Sequence, residues 1–77
     1  MIAGVADTHA ALWYLLKNPL LSITARTFID DAAAAAGQEI LLSPLPDRIV
    51  AATAVYFGVP VISGDDRIRA SNVPTVW

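Results

Sequence analysis

Three aspartates of this 77-residue chain stand where folded domains tend to place chemistry. Asp7 follows the apolar run Ile2-Ala3-Gly4-Val5-Ala6, which predicts a short buried strand with a carboxylate at its tip. Asp47 follows Pro46, a residue suited to the first turn of a helix, so its carboxylate falls beside the positive end of the helix dipole. Asp65 comes just after Val59 to Ile62, a short β-branched run bounded by breakers. That pattern predicts a central strand of a parallel sheet, and open α/β sheets carry their sites at the carboxyl ends of such strands. In a parallel sheet these ends gather on one edge. Carboxylates crowded there repel by several kcal/mol at an effective dielectric of about 20, so the cluster persists mainly when a cation neutralises it. Hard oxygen donors, with no cysteine and no second histidine, point to Mg²⁺ or Mn²⁺. Such ions activate water and clamp a scissile phosphate. A simpler role for Asp7 is to cap the following helix, and the two roles are compatible.

The elements that must position these acids follow from the same pattern. His9 to Leu16 is nearly all apolar and predicts a short helix packed on several sides, with His9 as a helix-start or packing residue rather than a ligand. Asn18-Pro19 ends it. Ser22 is a good N-cap for a second helix, on which Leu21, Ala25, Phe28, Ile29, Ala32 and Ala36 form one apolar face. Asp30 and Asp31 are off that face and point apart, as neighbours on a helix do, so they read as solvated surface. Gly37 stops this helix, and Glu39 opens a second strand through Ile40-Leu41-Leu42 to Ser43. A link of four residues with two prolines, Ser43-Pro44-Leu45-Pro46, then leads straight into the Asp47 helix. From Ile49 to Phe57 that helix is apolar or small at almost every position, which predicts cover all round. Gly58 ends it. Val73 to Trp77 reads as a last edge strand, where Pro74 is tolerated. The expected architecture is one α/β domain spanning residues 1–77, a small mostly parallel sheet flanked by helices.

Composition limits the functions open to it. Hydrophobic residues make up 56% and charged residues 16% of the chain, too apolar for a disordered tail. No apolar run approaches the ~20 residues that cross a bilayer. Met1 to Asp7 lacks a basic start, so no signal peptide is expected, and a cytoplasmic location is the default. The absence of cysteine leaves no disulfide framework and no thiolate metal site. A net charge of −2 supplies no basic field for nucleic acid, which would have to be held by a metal and a few local arginines. Arg67 and Arg69 are candidates for phosphate contact, although a solvated loop accounts for both. Arg48 reads as a surface or supporting cation.

Taken together, the motifs resemble a known family. Ala6-Asp7-Thr8-His9-Ala10 followed by Leu12-Trp13 resembles the opening of PIN-domain proteins, specifically the VapC-type toxins of bacterial toxin–antitoxin pairs. Leu21-Ser22-Ile23-Thr24-Ala25-Arg26 resembles their second helix. Asp47-Arg48-Ile49-Val50-Ala51-Ala52-Thr53-Ala54 and Val61-Ile62-Ser63-Gly64-Asp65-Asp66-Arg67-Ile68 resemble their last two motifs, and Val73 to Trp77 their ending. The resemblance implies a Mg²⁺-dependent ribonuclease that cuts RNA with metal-activated water and is silenced by a cognate antitoxin. It assigns Asp7, Asp47 and Asp65 to the metal site, with Thr8 and Ser63 as polar residues around it.

One departure sets this chain apart. The family carries an acidic residue, usually Glu, on a helix just after the strand that Ile40 to Ser43 resembles. Here that helix and several tens of residues are missing, because Ser43 meets the Asp47 motif almost directly. Glu39 is no substitute, since it precedes the strand. The resemblance therefore implies a PIN domain shortened near residues 43–46. Metal binding would be weakened, and a misplacement of about 1 Å in the site can cost 10²-fold in rate. Missing middle helices would also uncover apolar surface, which predicts a homodimer or aggregation. The alternative function is a non-catalytic remnant that binds an antitoxin or itself.

Overall fold

The computed structural model describes residues 1–43 and 46–77, and of Asp47 the backbone only. The elements in chain order are β1 (Ile2–Asp7), α1 (Thr8–Leu15), α2 (Ile23–Ala34), β2 (Glu39–Ser43), α3 (Asp47–Phe57), β3 (Val61–Ile62), α4 (Asp66–Arg69) and β4 (Thr75–Val76). The strands form one four-stranded, all-parallel sheet in the order β2-β1-β3-β4. This is an α/β fold.

The alternation of side chains along each strand divides the core between the two faces of the sheet. Val5 pairs with Val61, and Ala6 with Ile62. On one face Ala6 and Ile62 meet Ala10 of α1 and Ala25 and Ile29 of α2. On the other, Val5 and Val61 meet Val50 and Ala54 of α3 and Ile68 of α4. Both faces are covered, so the central strands β1 and β3 are apolar at successive positions rather than alternating. Gly4 serves this packing: a β-carbon there would lie 3.0 Å from Cε1 of Phe28 on α2.

Local signals explain the helix boundaries. Asp7 caps α1, accepting from the Ala10 N–H at 2.7 Å, and Ser22 caps α2, accepting from the Ala25 N–H at 3.0 Å. After α1 the chain turns through Lys17 at φ 54°, and the Asn18 N–H closes back on the Trp13 carbonyl at 2.8 Å. The left-handed position that glycine usually fills at a helix end is thus held by lysine, just before Pro19. Gly58 fills the same position after α3, at φ 67°. Tyr14 Oη donates to Asp30 at 2.6 Å and ties α1 to α2, so Asp30 is exposed yet bonded. That bond stabilises the neutral phenol and raises the Tyr14 pKa.

Several expectations are corrected. Pro46 is the N-cap of α3 rather than part of its first turn, and the linking residues 44–45 lie outside the described ones. α2 ends at Ala34, which leaves Ala36 exposed beyond it. Neither α1 nor α3 is covered all round. Leu12 and Leu15 are exposed on α1, and on α3 Ile49, Val55, Tyr56 and Phe57 are exposed while Val50 and Ala54 are buried. The reason is a shortage of elements: each face of the sheet has only two helices, and nothing among the described residues lies outside them.

Candidate active site

The strand order itself picks out a position for a site. From β1 the chain moves to β2 by helices on one face, then returns past β1 to β3 by a helix on the other. The order therefore reverses between β1 and β3, and in open α/β sheets ligands bind beyond the carboxyl ends of the strands at such a reversal. β1 ends in Asp7, and β3 runs out into Ser63-Gly64-Asp65. The two strands that flank the reversal are those that carry the acids.

Asp7 is held from two sides. One carboxylate oxygen accepts the Ala10 N–H, and the other accepts the hydroxyl of Ser63 in a short hydrogen bond across the gap. Ser63 is fully buried, and its Oγ also accepts the Asp65 N–H at 3.0 Å. One hydroxyl thereby fixes the distance between the end of β1 and the loop after β3. Asp65 in turn caps α4, accepting from the Arg67 N–H at 2.8 Å. Its carboxylate also meets the Arg67 guanidinium, at 3.4 Å in an exposed ion pair. The Arg67 backbone N–H first, and then its side chain, hold the Asp65 carboxyl below its ordinary pKa.

Asp7 and Asp65 line one cleft of about 320 Å³, together with His9, Trp13, Leu20, Gly64 and Trp77. A second hollow, of about 230 Å³ under α1 and α2, is lined by Ala6, Tyr14, Ile29 and other mostly apolar groups and holds no carboxylate. The cleft that holds Asp7 and Asp65, beyond the carboxyl ends of β1 and β3, is the candidate site. Thr8 does not line it. Its hydroxyl donates to the Ser43 carbonyl at 3.4 Å, beside an apolar hollow bordered by Leu12, Leu15 and Leu42. Ser43 ends β2 on the same edge of the sheet, and its buried Oγ has no hydrogen-bond partner among the described residues. α3 runs back along the sheet before β3, so its first turn, with the Asp47 backbone, opens on the carboxyl side of the strands. The Asp47 side chain lies outside the described residues.

The hard oxygen donors at this cleft are the carboxylates of Asp7 and Asp65. Among the described residues no group of three His, Cys, Asp or Glu side chains converges on a metal position. Mg²⁺, however, takes one or two carboxylates and completes its shell with water and substrate phosphate. Each oxygen of Asp7 accepts one hydrogen bond from the protein and has capacity for another. Asp65 would have to exchange its Arg67 contact for a metal or its water. Sequence reasoning picked out Asp7, Ser63 and Asp65 but passed over Trp13, Gly64 and Trp77 as cleft residues. The His9/Trp13 spacing of one helical turn was the available signal. Nothing local in the sequence links Trp77 to either.

No protein family, curated protein or solved structure matches the chain. No helix among the described residues is long and apolar enough to cross a membrane.

Proposed function

We propose that the chain is a shortened PIN-type domain, similar to VapC toxins, that acts on RNA as a Mg²⁺-dependent endoribonuclease of reduced activity. The observation that carries this reading is the junction of Asp7, Ser63 and Asp65 at the reversal point of a parallel sheet, beside an open cleft. Asp7 would hold the cation directly, and Asp47 and Asp65 would complete the acidic set. When bound, Mg²⁺ supplies an activated water and charge neutralisation at the phosphate. The protein's part is positional. Ser63 fixes Asp7 relative to the Asp65 loop, the N-terminus of α1 fixes the other Asp7 oxygen, and Arg67 offers a cation next to the acids. Reduced activity follows from the missing middle segment, which removes one carboxylate of the resembled set.

The test is cleavage of a single-stranded RNA in Mg²⁺ or Mn²⁺. We expect slow cleavage that is lost in Asp7→Asn and suppressed by chelation. Cleavage that survives Asp7→Asn would refute the assignment.

A second reading has its own support. Leu12 and Leu15 of α1, Leu42 of β2, and Val55, Tyr56 and Phe57 of α3 are exposed apolar residues. Surface of this kind favours a module that binds an antitoxin or a second copy of itself without cutting RNA. Concentration-dependent dimerisation in a preparation with no metal-dependent cleavage would favour it over the nuclease.

A further inference from the structure

Three rings gather in the cleft that holds the acids. His9 and Trp13, one turn apart on α1, have ring centroids 5.6 Å apart and planes inclined by 32°. Trp13 and Trp77 follow at 5.9 Å and 52°. Trp77 lies across Gly64, where an added β-carbon would come within 2.5 Å of its Cε2. The indole thus rests on the residue that joins Ser63 to Asp65. Both tryptophans pack against the core on one side, are only partly buried, and contribute surface to the cleft, while His9 is exposed.

These rings leave about 320 Å³ open between themselves and two carboxylates. That volume is at the small end of ligand sites, roughly 300 to 1,000 Å³, and suits one planar group rather than an extended chain. Planar groups with a π-face are what exposed indoles bind best, and an unpaired base offers such a face whatever its identity. A net charge of −2 gives the cleft little general attraction for phosphate, so base contact becomes the main source of grip from the protein itself.

We propose that His9, Trp13 and Trp77 form a stacking platform for one unpaired nucleobase of single-stranded RNA, holding the adjoining phosphate beside Asp7 and Asp65. The proposal rests on the RNA-directed reading above and adds the part of the substrate that the protein grips. It makes the chain selective for single strands, because a base within a duplex has no free face.

The chain's two tryptophans are both in this cleft, so its indole emission reports on the site directly. The experiment titrates the full chain in Mg²⁺ with a short single-stranded oligoribonucleotide, an abasic sugar-phosphate strand of equal length, and a duplex of the same sequence. Saturable quenching by the first, and none by the other two, is expected. Trp13→Ala should weaken binding roughly 10- to 100-fold, and Trp13→Phe should restore most of it. His9→Ala, at an exposed ring, keeps the fold and should weaken binding several-fold. Equal binding of the abasic strand would overturn the platform and leave a phosphate-directed site. RNA cleavage without any change of indole emission would overturn the platform while the nuclease reading stands. No binding of any strand would overturn both.

Discussion

Asp7 does two jobs with one carboxylate, and substitutions can separate them. It caps α1 through the Ala10 N–H and accepts the Ser63 hydroxyl. Asparagine caps a helix about as well as aspartate, whereas alanine does not. Asp7→Ala, which removes the cap and the Ser63 acceptor together, should therefore lose about 2 to 4 kcal/mol in denaturant unfolding, and Asp7→Asn, which keeps the cap but turns an NH₂ toward the buried Ser63 hydroxyl, about 1 to 2 kcal/mol. An equal loss in both would mean that the Ser63 hydrogen bond, rather than the cap, stabilises this corner. Asp65 gives a complementary test through pH. Its carboxyl titrates below the ordinary range because the Arg67 N–H and side chain favour the charged form. A depressed carboxyl stabilises the fold at all pH above its unfolded value, and that contribution disappears as pH falls through the lowered folded value. The stability difference between the wild type and Asp65→Asn should accordingly be constant near neutrality and shrink only in acid. A difference that changed between neutral and mildly acidic pH would show that some other group titrates with the α4 cap.

At the scale of elements, the sequence was informative wherever one local signal decided the outcome. β1, β2, β4, the Ser22 cap and the Gly58 stop all follow from short runs and single residues. Where the outcome depends on what packs outside an element, composition misleads. The apolar run Ile49 to Phe57 looks buried all round, yet only Val50 and Ala54 are buried, because no further helix among the described residues covers α3. α4 was also hidden, since four residues after an aspartate resemble a polar turn until the Asp65 cap is seen. Contacts between distant positions were equally out of reach: Ser63 and Asp7 are 56 positions apart. These differences lead to opposite mutational outcomes. Ile62→Ala, in the fully buried β3, should cost about 2 to 5 kcal/mol in denaturant unfolding. Tyr56→Ser, at an 83% exposed position of α3, should change stability by less than about 0.5 kcal/mol. A large loss from Tyr56→Ser would mean that this face is covered in solution.

For the molecule as a whole, size and site are in tension. A domain this small buries only about 60% of its unfolded surface, so its stability is modest and any ligand of the folded state should register strongly. The most direct measurement is therefore thermal unfolding followed by circular dichroism, with and without Mn²⁺, in the wild type, Asp7→Asn and Asp47→Asn. At 100-fold excess over Kd, a metal that binds only the folded chain adds about 2.7 kcal/mol. For a domain of this size, that raises the midpoint by on the order of 10 °C. The predicted result is a cooperative transition that rises with Mn²⁺ in the wild type and not in the two variants. A transition that ignores Mn²⁺, or that rises equally in all three proteins, would contradict a metal site built on these acids.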